Sequence, residues 1–448
     1  MAIKNNRLTE EQYKENFADI YPPFGTGDAA LLEANRCLFC FDAPCTKACP
    51  TSIDVPKFIK QISTGNMKGS AYTILSSNIM GGSCARVCPV EKLCEGSCVL
   101  NKEHETPIHI ALLQRYSTDM ALKNKWDLFE RKDSFGKKVA VVGSGPAGLS
   151  CAHWLSGQGI DVTIYEKENE AGGLMTYGIA AYKVTPEFCK EETDFITSIG
   201  GIDIKYNQEL GRNLSLTDLQ KNYDAVFLGI GVGLTRKLEI PGENLEGVID
   251  AISFIYGLRK EGFAKTAIGD KVAVIGMGMT AVDAATQAKR LGAKEVTMVY
   301  RRTENEKPCT NVELEIAKLD GCNIIWLASP KEIHGENGKV KSLLCSRMEL
   351  GAPDESGRKF PFETGETFVL DVDMVIKATG QVPYADLLQN NGIEITNGKI
   401  KIDSNFSSNI GSVFAGGDCV NGGKEVVDAV QAGKDGAKSI LKYLGIND

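Results

Sequence analysis

The sequence predicts an α/β protein with an N-terminal α-helical domain followed by two Rossmann-like dinucleotide-binding domains, the first of them discontinuous. Two apolar runs, KKVAVVG and DKVAVIG, each lead into a glycine-rich turn and a helical stretch, and they lie about 130 residues apart. Eight of the fourteen cysteines lie between Cys37 and Cys98, in a segment with helix-like stretches and no strong strand pattern. We expect domains at residues 1–135, 136–243, 244–373 and 374–448, the second and fourth together forming the discontinuous domain.

The composition predicts an ordinary cytoplasmic protein. The chain has 448 residues, a formal net charge of −8 and 43% hydrophobic residues, which suits globular packing. A mildly acidic chain without a basic stripe gains no counterion-release attraction, so we expect no nucleic-acid partner. The polar start MAIKNNRLTEEQYKENF lacks the apolar core of a signal peptide, and no apolar run approaches the roughly 18 residues that cross a bilayer. We therefore expect no membrane partner either.

The cysteine spacing predicts iron–sulfur clusters. The first run reads C-x2-C-x4-C-x3-C-P from Cys37, and the second reads C-x3-C-P-x4-C-x3-C from Cys84. In the bacterial ferredoxin run, three cysteines hold one cluster and the fourth, before proline, serves another. By that logic Cys49 crosses to a second cluster. Two structural zinc sites are the alternative, but only one C-x2-C pair is present and the Cys-Pro steps fit a zinc knuckle poorly.

The first glycine loop predicts an FAD site. It follows a strand and opens a helix, and Glu166 ends the next strand, where its carboxylate would accept hydrogen bonds from a ribose. FAD is favoured over nicotinamide because a later glycine pair and the motifs ATG and VFAGGD resemble flavin reductase fingerprints. In the last motif, Asp418 would bind the ribityl or pyrophosphate region. The candidate FAD residues are Gly143, Gly145, Pro146, Ala147, Gly148, Glu166, Gly172, Gly173, Leu174, Thr379, Gly380, Gly417 and Asp418.

The second glycine loop predicts a nicotinamide nucleotide site. In the strand after it, Tyr300 takes the place that Glu166 has in the first domain, and two arginines follow. Without the acidic residue the ribose 2′-hydroxyl is bound less well, whereas guanidinium groups bind a 2′-phosphate, so NADP(H) is favoured over NAD(H). The alternative is that the arginines form surface ion pairs with Glu304 and Glu306. The candidate residues are Gly276, Gly278, Met279, Thr280, Ala281, Arg301 and Arg302. No catalytic triad or Cys–His pair is evident, so no catalytic side chain is assigned.

Three stretches between residues 37 and 114 make a family resemblance specific. CLFCFDAPCTKACP, CARVCPVEKLCEGSC and PIHIALLQR resemble the N-terminal cluster domain of dihydropyrimidine dehydrogenase and of the small subunit of its bacterial forms. The resemblance implies two [4Fe–4S] clusters and leaves Cys84 as a non-ligand. Counting thiolates alone favours Cys84 over Gln114, because a thiolate is the softer iron ligand. The implied ligands are Cys37, Cys40, Cys45 and Cys98 for one cluster, and Cys49, Cys88, Cys94 and the amide oxygen of Gln114 for the other.

The resemblance also implies an electron-input subunit. NAD(P)H would reduce FAD, and electrons would leave singly through the clusters to a partner subunit that carries FMN and iron–sulfur groups. In the family, the partner's (β/α)8 barrel reduces uracil or thymine to the 5,6-dihydropyrimidine. Such a barrel needs about 250 residues, and every residue here is allotted to the cluster and dinucleotide domains.

Three alternatives share features of this sequence. The small subunit of glutamate synthase has the same architecture, but with a shorter gap between the later cysteines and an acidic residue in place of Gln114. A subunit of an electron-bifurcating ferredoxin:NADP reductase has cysteine spacing closer to this one. A non-catalytic scaffold subunit is disfavoured by the intact flavin and nicotinamide motifs.

Overall fold

A computed structural model describes residues 3–446 apart from residues 356 and 358, so the predicted domain bounds at residues 1 and 448 lie outside the described residues. The chain divides into two compact units. The larger unit comprises Asp19–Thr176, Lys183–Leu234 and Val382–Asp448, and the smaller unit comprises Met1–Ala18, Tyr177–Tyr182 and Thr235–Gln381. The four predicted domains are a different division of the chain and stay a prediction.

The cysteine-bearing part of the larger unit is helical, as predicted. Its two Cys-Pro steps each follow a helix end, because proline disfavours the helical conformation of the residue before it. One helix ends at Ala48 and another at Val87, and the cysteine after each has extended backbone. Numbered in chain order, the helices are α2 (Gly27–Asn35), α3 (Pro44–Ala48), α4 (Val55–Ser63), α5 (Met67–Ser77), α6 (Gly81–Val87) and α7 (Ile110–Lys123), with a 3-10 helix at Val99–Glu103.

The rest of the larger unit is built on a five-stranded parallel sheet. Its strands are β1 (Lys138–Val142), β2 (Asp161–Tyr165), β3 (Ile202–Lys205), β4 (Ala225–Leu228) and β17 (Val413–Ala415), in the order β17-β4-β1-β2-β3. The apolar strand residues VAVV and AVFL are buried, as expected for parallel strands covered on both faces. Because β17 comes from the tail of the chain, the predicted discontinuous domain is confirmed.

Helices and a short hairpin complete the larger unit. These elements are α8 (Pro146–Gly157), α10 (Pro186–Thr197), α11 (Leu216–Asn222), α15 (Ala385–Asn390), β15 (Ile395–Thr396), β16 (Lys399–Ile400), α16 (Asp418–Asn421) and α17 (Val426–Tyr443). Three short elements lie where the chain passes between the units, namely α9 (Leu174–Tyr177), β5 (Leu234–Thr235) and β14 (Gln381–Val382).

The smaller unit repeats the parallel fold and adds an antiparallel sheet. Its parallel strands are β6 (Val248–Asp250), β7 (Lys271–Ile275), β8 (Glu295–Tyr300), β9 (Asn323–Trp326) and β13 (Met374–Lys377), in the order β6-β13-β7-β8-β9. The antiparallel strands are β10 (Ala328–Glu336), β11 (Lys339–Pro353) and β12 (Lys359–Asp371). Its helices are α1 (Glu10–Asn16), α12 (Ala251–Glu261), α13 (Met279–Arg290) and α14 (Asn311–Leu319), with 3-10 helices at Phe263–Lys265 and Glu304–Glu306.

The predicted α/β class, with its two Rossmann-like folds, is confirmed. In the larger unit the chain builds from β1 through β2 and β3 to one side and then returns to the other side of β1 with β4 and β17. In the smaller unit β7, β8 and β9 build to one side, and β13 then returns to pair between β6 and β7. Ligands of open parallel sheets bind beyond the carboxyl ends of the strands at such a reversal. The reversal lies between β1 and β4 in one unit and between β7 and β13 in the other. Within the described residues, no helix combines the length and apolar character that spanning a bilayer requires.

Candidate functional site

One cavity of the larger unit brings together the first four predicted cluster ligands. The thiols of Cys37, Cys40, Cys45 and Cys98 line it, with apolar side chains of α4 and of the segment after Cys98 completing the wall. Burial raises the pKa of the Cys45 thiol to about 11, because surroundings of low polarity disfavour a thiolate. Iron would displace that proton, since the ligating form of cysteine is the thiolate.

A second cavity brings together the other predicted ligands. Cys49, Cys88, Cys94 and Gln114 line it, and so does Cys84. A hydrogen bond with the Cys84 thiol, together with burial, raises the pKa of the Cys88 thiol well above its usual value. Both candidates for the fourth ligand therefore stand at the same cavity, and the choice of Gln114 stays a prediction.

The side chain of Gln114 is held in one orientation. It lies on α7, is 8% exposed, and its Nε2 donates to the carbonyl oxygen of Gly81 at 2.7 Å. Because a carbonyl accepts and only the amide nitrogen donates, this bond distinguishes the two ends of the side-chain amide. The oxygen Oε1 is then the atom left for the cavity, which fits the ligand role that the resemblance implies.

Each cavity is lined by several candidate ligand residues, and a cluster of several iron atoms requires more than one protein ligand. Among the described residues, no three His, Cys, Asp or Glu side chains converge closely enough to hold a single metal ion. The six cysteines outside this segment are buried and act as small core side chains, namely Cys151, Cys189, Cys309, Cys322, Cys345 and Cys419.

The first glycine loop contains glycines of two kinds. Gly143 has a φ of 98°, and a Cβ there would lie 2.5 Å from the carbonyl oxygen of Gly229. A Cβ on Gly148 would lie 1.9 Å from the carbonyl oxygen of Gly143. Gly145 has a φ of −68°, and a Cβ there would meet no atom closer than 4.0 Å. The chain itself therefore requires the first and third glycines, whereas the second leaves room for the close approach of a pyrophosphate.

Further predicted FAD residues lie around this loop. The buried carboxylate of Glu166 accepts hydrogen bonds from the backbone N–H groups of Ser144 and Glu168, each at 2.9 Å. Its Oε1 retains a second acceptor position for a ribose hydroxyl. Gly172 donates its N–H to the carbonyl oxygen of Ser144 at 3.0 Å, which places the glycine pair and Leu174 beside the loop.

The tail of the chain reaches the same edge of the sheet. A Cβ on Gly417 would lie 2.9 Å from the Cβ of Ala147, so the segment that begins α16 meets the start of α8, where Pro146 is the first helical residue. Asp418 follows directly; its Oδ1 accepts the N–H of Lys424 at 3.1 Å, and burial raises the pKa of its carboxyl.

Thr379 and Gly380 are brought to the second glycine loop. They follow β13 in the smaller unit, and a Cβ on Gly276 would lie 2.4 Å from the carbonyl oxygen of Ala378, the residue just before them. Thr379 donates its hydroxyl to the carbonyl oxygen of Arg236 at 2.9 Å. The role of these two residues toward FAD stays a prediction.

The second loop borders a cavity of about 520 Å³, which is within the usual range for small-molecule sites. Gly278 and Thr280 line it with Ala281, and Met279 begins α13 without lining it. A Cβ on Gly278 would have no atom within 4 Å, so this second glycine again leaves space that the chain does not use. The parallel with Gly145 supports a bound dinucleotide in both units.

The two predicted arginines differ in position. Arg301 is exposed on the cavity wall, whereas Arg302 is 8% exposed, does not line the cavity, and donates its Nε to the carbonyl oxygen of Lys359 at 3.2 Å. The predicted alternative partners are engaged elsewhere, since Glu304 pairs with a lysine and Glu306 accepts from Thr303.

Two exposed cations of the same cavity were not predicted. Arg236 and Lys237 line its wall and are exposed. Together with Arg301 they form a positive wall that suits phosphate groups. Exposed basic residues without a motif carry no sequence signal of their own, and only the return of the chain to the sheet brings them to the loop.

Two family descriptions match the chain. Residues 137–433 match the pyridine nucleotide-disulphide oxidoreductases, and residues 13–126 match domain II of dihydropyrimidine dehydrogenase, which carries a 4Fe-4S cluster. The chain belongs to the pyridine nucleotide-disulphide oxidoreductase family. The predicted relationship to the superfamily that contains dihydropyrimidine dehydrogenase subunits and glutamate synthase small subunits is thereby confirmed.

Two similar relatives of this oxidoreductase come from Escherichia coli K12. The glutamate synthase [NADPH] small chain is 35% identical, over 97% of this chain and 95% of that one. The NAD-dependent dihydropyrimidine dehydrogenase subunit PreT is 35% identical, over 96% of this chain and 98% of that one. The relatives are equally similar and are named for different nicotinamide nucleotides.

A solved structure shares the fold of the two dinucleotide-binding parts. Mycobacterium tuberculosis FprA, in complex with NADPH, has a TM-score of 0.60 and 22% identity, over 69% of this chain and 85% of that one. The oxidoreductase is an NAD(P)H-dependent flavin enzyme with an iron–sulfur domain, and the prediction of that activity is confirmed.

The split between the arginines predicts different effects of replacing them. Arg301→Gln is expected to raise the KM for NADPH about tenfold, because a charge-assisted hydrogen bond contributes about 1.5–3 kcal/mol. The KM for NADH should change little, since NADH lacks the 2′-phosphate. The measurement is steady-state dye reduction with each nucleotide. Arg302→Gln is the matched control and should lower thermal stability without selecting between nucleotides; equal effects of Arg301→Gln on both KM values would refute the 2′-phosphate role.

Proposed function

We propose that this oxidoreductase is the electron-input subunit of a dihydropyrimidine dehydrogenase. It oxidises NAD(P)H, with NADPH preferred, at FAD and passes electrons through two [4Fe–4S] clusters. The electrons go to a partner subunit, in which FMN and iron–sulfur groups on a (β/α)8 barrel serve the reduction of uracil or thymine to the 5,6-dihydropyrimidine. The relative PreT is itself named as a subunit of a dihydropyrimidine dehydrogenase.

The grouping of the eight implied cluster ligands carries the proposal. They line two separate cavities, four ligands at each, in the two sets that the resemblance implies. At the second cavity, Nε2 of Gln114 donates to the carbonyl oxygen of Gly81, which leaves the amide oxygen available as a ligand. A glutamine at this place is the feature by which the resemblance favours dihydropyrimidine dehydrogenase. Zinc ligands would instead converge on single points.

The chain's own residues supply binding, orientation and insulation. The N-terminal end of α8 and the open space at Gly145 receive the FAD pyrophosphate, and Glu166 and Asp418 orient its sugar parts. In the smaller unit, Gly278 and Arg301 hold the nicotinamide nucleotide. When bound, FAD would supply the conversion between two-electron hydride chemistry and single-electron transfer, and the clusters would supply the single-electron route.

The second cavity provides the connection from the flavin part to the clusters. Its wall includes Val427 of α17, the helix that follows Asp418 in the same tail segment. The second cluster would therefore border the flavin-binding part of the larger unit. The remaining wall is mostly apolar, which excludes water from the route and limits loss of electrons to solvent.

The small subunit of a glutamate synthase is the second candidate. It is favoured by the E. coli small chain, which is as similar in identity as PreT and is covered over nearly its whole length. The two candidates share the input half of the reaction and differ in the partner. A partner test therefore separates them.

With NADPH as the electron donor, the purified holoprotein is expected to reduce artificial dyes but not uracil. The reason is that the proposal assigns the pyrimidine site to the partner. Anaerobic assays of both reactions check this expectation. Uracil-dependent oxidation by the chain alone would contradict it. Absence of dye reduction in flavin-replete protein would support the scaffold alternative.

The partner is identified by anaerobic capture on the tagged chain from its native host. A captured FMN barrel protein that confers uracil-dependent NADPH oxidation is the expected result. A captured amidotransferase-type subunit that confers glutamine-dependent oxidation would replace the proposal with the glutamate synthase candidate.

A further inference from the structure

We propose that Asn78 donates a hydrogen bond from its side-chain nitrogen to a sulfur atom of the cluster in the second cavity, and so raises the reduction potential of that cluster. The inference rests on the second cluster of the proposed function. It assigns Asn78 a positioning and tuning role and no role as an iron ligand.

The side chain of Asn78 is buried and lacks a partner for its nitrogen. The residue directly follows α5, is 0% exposed, and lines the second cavity beside the thiols of Cys49, Cys88 and Cys94. Its Nδ2 has no hydrogen-bond partner among the described residues. A buried amide donor without an acceptor costs free energy, and folded proteins leave few of them. An acceptor brought by the group that fills the cavity removes this cost.

The orientation of the Asn78 amide is fixed by its neighbours. The backbone N–H of Asn78 donates to the carbonyl oxygen of Ile74 at 2.9 Å. Its Oδ1 accepts the backbone N–H of Met80 at 3.1 Å. A flipped amide would set two donors against each other at Met80, so Nδ2 is the end that remains for the cavity.

The chemistry of the wall identifies the acceptor. Apart from Asn78 and the candidate ligands, the residues that line the second cavity are apolar, namely Pro50, Ile53, Ala85, Val90, Leu93, Ala111 and Val427. They offer no side-chain acceptor. Cluster sulfides and ligating thiolates carry negative charge and accept hydrogen bonds, so they are the acceptors that this cavity would supply.

The hydrogen bond from Asn78 would raise the reduction potential of the second cluster. One-electron reduction makes a cluster more negative, and a hydrogen-bond donor stabilises the more negative state. The effect is strong where the surroundings are apolar, since little solvent screens the donor. Asn78 should therefore make the second cluster easier to reduce, which favours electron transfer to it from the flavin part.

An EPR-monitored redox titration of the full-length holoprotein tests the proposal. Asn78→Ala removes the donor without adding charge, and Asn78→Asp keeps the Oδ1 acceptor for Met80 but replaces the donor with an acceptor. The midpoint potential of the second cluster is expected to fall in both variants, and further in Asn78→Asp. The first cluster serves as an internal standard and should not shift.

Asn66→Ala is the matched control. Asn66 caps the start of the same helix by accepting the N–H of Gly69 at 3.0 Å, and it does not line the cavity. This variant weakens α5 and should leave both potentials unchanged.

Three results would overturn the proposal. The first is an unchanged potential of the second cluster in Asn78→Ala. The second is loss of that cluster in both Asn78 variants while the first cluster is retained, because Asn78 would then serve assembly. The third is an iron content of the wild-type protein that corresponds to a single cluster. That result would also contradict the two clusters of the proposed function, and iron analysis distinguishes it from the other two.

Discussion

Gly145→Ala is expected to lower the FAD affinity and the flavin content of the protein while leaving the fold intact. A Cβ at this position meets no protein atom within 4.0 Å, and a φ of −68° suits alanine. The stability of the FAD-free protein should change by less than about 1 kcal/mol, because the gain from restricting the unfolded chain opposes the loss of a favourable N-cap residue. The methyl group occupies the space through which the pyrophosphate approaches the backbone. FAD affinity should fall by at least about tenfold, or about 1.4 kcal/mol.

Flavin content by absorbance and thermal unfolding of the FAD-free protein check both halves of this expectation. Gly148→Ala is the matched control, because its Cβ would lie 1.9 Å from the carbonyl oxygen of Gly143. That variant should lose stability by about 3 kcal/mol or more, since the backbone has to shift. Gly278→Ala in the second loop should weaken NAD(P)H binding and leave FAD bound. Full flavin content in Gly145→Ala would refute the assignment of this loop.

Gln114→Ala is expected to halve the iron content, whereas Cys84→Ser should leave it unchanged. The first variant removes the implied fourth ligand of the second cluster, and without it one iron has no protein donor. The second variant keeps a hydroxyl within hydrogen-bond reach of Cys88 and removes no implied ligand. Iron and sulfide analysis with EPR spectra of the reduced protein measures the outcome.

Cys94→Ala is the reference for loss of the second cluster, and Cys45→Ala is the reference for loss of the first. The spectrum of Gln114→Ala should match that of Cys94→Ala and differ from that of Cys45→Ala. The opposite pattern, with iron lost in Cys84→Ser and kept in Gln114→Ala, would make Cys84 the ligand. That result would also weaken the preference for dihydropyrimidine dehydrogenase over glutamate synthase.

Local signals account for what could be predicted from the sequence. The glycine loop after each apolar strand depends on backbone geometry within a few residues, and so its position, its helix and Glu166 could be read directly. The Cys-Pro steps likewise end α3 and α6 through a local steric effect. The assignment of Gln114 came from a family resemblance, because a glutamine on a helix carries no signal of its own.

Contacts between distant segments account for what could not be predicted. The pairing of β13 beside β7 brings Thr379 and Gly380 of the ATG motif to the second loop, a position that the motif itself does not indicate. Arg301 and Arg302 are adjacent in sequence, yet one lines the cavity and the other is buried against Lys359 of β12. The three-stranded antiparallel sheet that supplies this strand was not predicted.

The sequence by itself determined the fold class, the two glycine loops and the cysteine spacing, because each depends on residue types at short, fixed intervals. Only the tertiary structure decided which arginine faces the nucleotide cavity, that Arg236 and Lys237 join it there, and that the side-chain nitrogen of Asn78 has no partner among the described residues. The physical reason is that burial and hydrogen-bond satisfaction are properties of packed surroundings. Those surroundings are assembled from segments far apart in the chain.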